Sequence, residues 1–281
     1  MQPDLRAGRM MRVFVSGVSV WGPGLAGWPM AQAVLRGEQP WIAEDTMPPA
    51  PSILAANERR RTSAVVRLAL VVAQEATAMS GHDAASLHSV FGSSNGDGVV
   101  VNDILQALAE PGRDVSPTQF HNSVHNAAAG YWTIGAGTRQ PASCLGCHDA
   151  TMGLTLLKAA AEVQVEQVSV LLCVYDRPLP EPMAEKRPTA SSFACALVLT
   201  PEQEPGSIAS LAVRYRAEPA DPALEASRRE ALHGLCFGNA AARALRLLES
   251  LAMQHSDRIE LSCLDQSIEI IVTPCSTAPA S

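Results

Sequence analysis

Residues able to carry nucleophilic chemistry gather in two neighbouring strings, His121-Asn-Ser-Val-His-Asn126 and Cys144-Leu-Gly-Cys-His-Asp149. A thiol becomes a nucleophile when a base or a positive field lowers its pKa, so Cys147 with His125 or His148 as base would suit an acyl-transfer or condensing reaction. The Cys-x-x-Cys-His string also matches covalent haem attachment, and its dithiol matches a redox pair. Haem attachment needs an export route and a ligand-rich small fold, which the rest of the chain does not offer. A zinc site would need two further ligands at compatible spacing, and none is evident. Asn122, Ser123, His125 and Asn126 form a dense polar cluster within apolar sequence. Buried polar groups must be paired, so the cluster either structures a site or interface, or pins a loop. Gly92-Ser-Ser-Asn-Gly-Asp-Gly98 resembles a phosphate loop but lacks the Lys-Ser/Thr of a P-loop. Glycines that admit close backbone approach at a strand end account for it better.

Alternating strands and helices must position these residues. Residues 13–20 alternate β-branched and small side chains and run into Gly22-Pro-Gly24, a strand and its turn. A short helix fits 28–36, and the Pro-rich piece 47–51 is a loop. From 59 to 79 apolar residues recur at helical spacing and stop at Gly81, predicting one helix with one buried face. A strand at 89–94 leads to a helix over 99–108, and 150–163 is apolar on nearly every side, as a core helix should be. Residues 168–174 and 192–199 read as strands buried on both faces, joined by a Pro-rich loop over 177–188. A strand at 208–215, a long amphipathic helix at 229–253 and a strand pair within 259–272 follow. The alternation predicts an α/β fold without solenoid repeats. The domain reading is a main body over 11–200, a shorter C-terminal portion over 201–273 packed on it, and disordered tails at 1–10 and 274–281.

With 281 residues, 47% of them hydrophobic, the chain can bury a sizeable core. A net charge of −7 and 4% aromatic content argue against a nucleic-acid surface and for proteins or small molecules as partners. Seven scattered cysteines, an odd number, favour free thiols in a reducing cytosol over a disulfide framework. No segment reaches the roughly 18 uninterrupted apolar residues of a membrane span. These features predict a cytoplasmic protein.

Ser116-Pro-Thr-x-Phe120, Asn122-Ser-Val-His-Asn126, Ala129-Gly-Tyr-Trp132 and the Cys-rich elbow before an apolar helix resemble the N-terminal half of β-ketoacyl synthases. The resemblance covers residues 13–199, and Phe237-Gly-Asn-Ala-Ala-Ala-Arg243 fits the short family members that act as chain-length factors in aryl-polyene pigment synthesis. It implies a thiolase-like (ketosynthase) fold with one nearly complete half and a truncated second half. In that superfamily the catalytic cysteine sits on the strand-to-helix elbow; aligning Pro141 and the small residues Ala159 and Ala160 places Asp149 there, where it would cap the helix beginning near Ala150. Family members draw two histidines from the second half, whereas after the elbow this chain has only His233 and His255, outside those motifs. The resemblance therefore implies a non-catalytic chain-length factor without metal or organic cofactor. Its partner would be a catalytic ketosynthase, in a heterodimer served by an acyl carrier protein. Residues 122–143 would build the dimer, with Tyr131 and Trp132 as anchors. The alternative is an active acyltransferase or condensing enzyme using Cys147.

Overall fold

The computed structural model describes residues 9–275. Its strands are β1 (Met11–Gly22), β2 (Leu25–Ala26), β3 (His88–Gly92), β4 (Ala142–Leu145), β5 (Val170–Asp176), β6 (Phe193–Thr200), β7 (Ala209–Arg216), β8 (Asp257–Cys263) and β9 (Gln266–Pro274). The helices are α1 (Trp28–Arg36), α2 (Ala56–Arg61), α3 (Ala64–Ser80), α4 (Gly98–Ala109), α5 (Pro117–Asn122), α6 (Ala127–Ala136), α7 (Thr151–Glu166), α8 (Met183–Lys186), α9 (Pro222–Glu225), α10 (His233–Gly238) and α11 (Leu245–Met253). All nine strands join one sheet in the order β4-β3-β5-β6-β1-β7-β9-β8, with β2 pairing only to β1. β3 runs parallel to β4 and β5, and every other pairing is antiparallel. The α/β class read from the alternation is the class observed. No helix among the described residues is long and apolar enough to cross a membrane.

Strand parity decides which side chain faces which layer. On β5, Val170, Leu172 and Val174 join the core around α7, while Leu171, Cys173 and Tyr175 join the core under α3 and α6. β6 divides the same way, which is why both strands read as continuous apolar runs. On β1 the α7 face is served by Val13 and Val15 and then by Val18 and Val20, because the register shifts between Val15 and Gly17. The bulge flips the parity and leaves Gly17 toward α3, where a Cβ would lie 2.1 Å from the Ala76 carbonyl oxygen. The sheet wraps α7, whose Met152, Leu156, Ala159, Ala160 and Val163 are fully buried.

Four expectations need correction. The helix predicted over 59–79 is two: Thr62 is extended, and the Ser63 side chain accepts a hydrogen bond from Val66 N at 3.3 Å to cap α3. The helix predicted over 229–253 breaks into short turns, α10 and α11. Asn239 there is extended, its Nδ2 donating to Ser191 O at 2.8 Å and its Oδ1 accepting from Ala241 N at 2.8 Å. The stretch read as a site loop around 122–132 is a loop only over 123–126, between α5 and α6. Pro274 closes β9 instead of opening a tail, because β9 pairs with β7 through Ala209 opposite Pro274. The expected tail residues 1–8 and 276–281 lie outside the described residues.

The two edges of the sheet differ. β8 is covered by the α9 segment: Glu225 accepts from Ser262 N at 3.2 Å, and Asp221 N donates to Glu260 at 2.9 Å. Among the described residues β4 pairs with β3 alone. On β8 and β9 the carboxylates of Glu260 and Glu269 stand directly opposite, an arrangement that repels unless neutralised. Arg258 bridges both, at 2.7 and 2.8 Å, Arg214 pairs with Glu269 and Arg216 with Glu260. The strands β7, β8 and β9 thus carry neutralised charges on one face, while exposed apolar side chains include Leu105 on α4, Phe120 on α5, Ile134 on α6 and Leu264 in the β8–β9 turn.

Candidate functional site at the strand-to-helix elbow

Because β3, β4 and β5 are parallel, the loops after them converge at one edge of the sheet, the edge where ligands bind in open α/β folds. One of them is the elbow, residues 146–150, between the edge strand β4 and α7. Gly146 passes tightly there, since a Cβ would meet His125 Nε2 at 3.0 Å and the Ser93 carbonyl at 3.2 Å. Cys147 N donates to Thr151 Oγ1 at 3.1 Å, and Thr151 Oγ1 donates to His148 O at 2.7 Å. That clasp holds His148 at φ 53°, a left-handed conformation costly for a residue with a Cβ.

Asp149 does not cap α7. The residue preceding the helix is Ala150, without a side-chain cap, and Asp149 lies in a tight turn just before it. Its carboxylate instead accepts from Arg187 Nη2 at 2.6 Å, with Arg243 Nη2 at 3.9 Å and His148 Nδ1 at 3.6 Å. Burial pushes this carboxyl upward, but the Arg187 hydrogen bond and charge, with Arg243 and His148, outweigh it and hold the pKa below the ordinary value. Arg187 also donates to Ser94 Oγ at 2.8 Å, and Arg243 lies over the Phe237 ring at 5.2 Å.

The elbow thiol has no activating partner. Burial raises the Cys147 pKa, and no hydrogen bond reaches its sulfur among the described residues. The His125 ring nitrogen Nε2 lies 2.9 Å from Ser93 O and donates there, so that nitrogen is held by the backbone. His148 is largely exposed, with Asp149 beside it. Cys144, on β4, is pushed up to about 11 by burial. Cys144, Cys147 and His148 are therefore not assembled as a dithiol or ligand set, and no group of three or more His, Cys, Asp or Glu could hold a metal among the described residues.

Of the polar cluster, only His125 reaches the elbow. Asn122 is buried, donating to Arg61 O at 2.7 Å and accepting from Tyr131 Oη at 3.0 Å, so it joins α2, α5 and α6. Ser123 donates to Phe120 O within its own turn, and Asn126 precedes α6 without a side-chain cap. Tyr131 and Trp132, expected as partner anchors, are 2% and 0% exposed in the core under α3. On α6 they share the inward face with Ala128, and the outward face carries Ile134.

Sequence reasoning missed Ser93, Asp176, Arg187 and Arg243. Asp176 is fully buried at the end of β5 and accepts from Ser93 Oγ at 2.8 Å, Asn95 N at 2.9 Å and Ser94 N at 3.2 Å. Burial raises its pKa against those hydrogen bonds. It holds the Gly-rich loop, so the glycines serve backbone approach: a Cβ on Gly92 would meet Thr155 Oγ1 at 2.3 Å. The signal was a single acid closing the apolar run Val170-Leu-Leu-Cys-Val-Tyr175. Chemically, the elbow is an ion-paired, hydrogen-bonded junction in which burial raises the pKa of the neighbouring thiol.

The family described as β-ketoacyl synthase, N-terminal domain, matches residues 35–256. No curated protein matches the chain in sequence. Among solved structures, the complex of the ketosynthase ApeO with its chain length factor ApeC from Xenorhabdus doucetiae is similar with a TM-score of 0.70 and 18% identity, covering 93% of this chain and 99% of that one. The ishigamide ketosynthase/chain length factor gives 0.72 at 13% identity over 95% and 100% of the two chains. A type II polyketide synthase acyl-carrier protein in complex with its ketosynthase gives 0.76 at 13% identity over 95% and 100%. At these identities the likeness shows the fold alone, one shared with ketosynthases and chain length factors. With the sequence match spanning most of its length, the chain belongs to the β-ketoacyl synthase N-terminal domain family.

Proposed function

We propose that the chain is a non-elongating chain-length factor that pairs with a catalytic ketosynthase in polyketide or aryl-polyene synthesis. The observation that carries this reading is the elbow: Asp149 is held as an ion pair by Arg187, while the neighbouring thiol of Cys147 has a raised pKa and no base. An ionised, arginine-bound carboxylate attacking a thioester would give only a labile mixed anhydride. In this reading residues 11–200 form a nearly complete thiolase half and 201–273 a shortened second half, represented by β7, β9 and β8 extending the same sheet. The partner supplies the cysteine and histidines. The uncovered edge of β4, beside α6 and the exposed Phe120, Val124 and Ile134, replaces Tyr131 and Trp132 as the pairing surface. Structural neighbours that are ketosynthase complexes with a chain length factor or a carrier protein support a heterodimer served by an acyl carrier protein.

A second reading has Cys147 as the nucleophile of an acyltransferase, favoured by its half-buried place on the elbow before α7. Incubation with an acyl thioester followed by intact-mass analysis separates the two. The chain-length-factor reading expects no adduct on this chain and acylation of a co-purified ketosynthase; a stoichiometric adduct lost in Cys147→Ala would reverse the assignment. Asp149→Cys is expected to leave the isolated chain unable to elongate malonyl thioesters.

A further inference from the structure

Beyond the C-terminal end of β1, where α3 begins, a cleft of about 590 Å³ opens between that strand end and the Pro-rich segment. That volume falls within the range of small-molecule sites. Trp21, Leu68, Pro48 and Pro49 give it apolar walls, and the prolines offer no backbone donor. The Pro-rich segment is fastened at both ends: Thr46 Oγ1 donates to Gly22 O at 2.6 Å, and Ile53 N donates to Gln74 Oε1 at 2.9 Å. The cleft is therefore preformed, and little ordering opposes occupation.

Two guanidiniums stand on this apolar surface. Arg177 is positioned by its Nε donating to Ser192 Oγ at 3.2 Å. Neither Arg177 nor Arg67 forms an ion pair among the described residues, although Arg187, Arg214, Arg216, Arg243, Arg246 and Arg258 all do. Asp45, on the same cleft, leaves it with one net positive charge. Ala64, the first residue of α3, also lines it, adding the positive end of a 17-residue helix to the same field.

We infer that this cleft binds a slender amphiphile, its anionic headgroup held by Arg67 and Arg177 and its apolar tail laid against Trp21, Leu68 and the prolines. The inference does not depend on the reading of the elbow, no residue of which lines the cleft. Carboxylate and phosphate headgroups share the required chemistry, since both accept paired guanidinium hydrogen bonds. Isothermal titration of the full chain with decanoate, decyl phosphate and decanol distinguishes them. At least one of the two anions is expected to saturate at one per chain with a Kd below about 100 µM, and decanol to bind at least about tenfold more weakly. The tighter headgroup identifies the ligand class. Arg67→Gln and Arg177→Gln should each raise that Kd about tenfold, the loss of one charge-assisted contact. Ala64→Phe, which fills the cleft while sparing both charges, should abolish binding. Failure of both anions to saturate by about 1 mM, equal binding of decanol, or unchanged affinity in either arginine variant with an unaltered circular dichroism spectrum would overturn the inference.

Discussion

A carboxylate at the elbow can be a cap, a nucleophile or an ion-pair acceptor, and its neighbours decide among these. Asp149 faces Arg187 and Arg243 and no free helix N–H, so its loss removes a half-exposed ion pair and leaves the helix end as it was. Asp149→Ala is therefore expected to cost less than about 1 kcal/mol in urea denaturation, below the range typical of a lost cap. Thr151 is the residue that holds the elbow, through Cys147 N and His148 O. Thr151→Val should cost more than Asp149→Ala, about 1–2 kcal/mol, because it removes two part-buried hydrogen bonds beside a strained residue. Trp132→Ala, for its part, should destabilise the isolated chain by about 3–5 kcal/mol, as removal of a fully buried indole does. At this scale the sequence was a partial guide. The elbow's position was legible from Cys144 to Asp149 preceding an apolar run, but Arg187 lies 38 residues beyond Asp149 and only the fold joins them. The inward turn of Tyr131 and Trp132 was illegible because α6 is apolar around its circumference, from Ala127 to Ile134, so periodicity cannot say which side faces the core.

Among the elements, strands were the easier reading. β5 and β6 are buried on both faces and announce themselves as unbroken apolar runs. Helix breaks were harder, because at Thr62-Ser63 and at Gly238-Asn239 an extended residue and a side chain that caps the following turn, not a change in hydrophobicity, set the boundary. The β1 bulge makes one element depend on another at a single atom. Gly17→Ala would drive a methyl into the backbone of α3, with no flexible side chain to yield, and should cost at least about 3 kcal/mol by thermal or urea unfolding. The arginine ladder on β7, β8 and β9 gives these strands a pH signature. Burial raises Glu269 and Asp257, but the hydrogen bonds and charges of Arg214 and Arg258, and of Arg246 and Arg228, prevail and set both below their ordinary values of 4.5 and 3.8. A depressed folded pKa means that the unfolded chain binds more protons in this window, so stability is present above these values and falls as pH falls through the folded ones. Asp176 and Glu249, raised by burial, act in the opposite sense and soften the slope. Tm should drop on acidification below about pH 4.5, and Arg214→Gln should flatten that drop.

For the whole molecule, the decisive measurement is assembly. Co-expression with its ketosynthase is expected to give a 1:1 complex burying more than about 2,000 Å², and Phe120→Asp with Ile134→Asp should dissociate it while leaving the isolated chain folded, as followed by light scattering and circular dichroism. A complex that survives both charges would place the contact on another surface.

The unequal edges of the sheet also set a limit on how far such an assembly could go. β8 is sealed by α9, with Glu225 taking the Ser262 amide and Asp221 fastened to Glu260, whereas β4 has one side unpaired. A sheet lengthened across β4 would meet, at its far end on this chain, a margin where α9 lies against the strand and Glu225 already takes the Ser262 amide. Growth by strand addition is therefore favoured at one end of the sheet and hindered at the other, which disfavours propagation into a fibre.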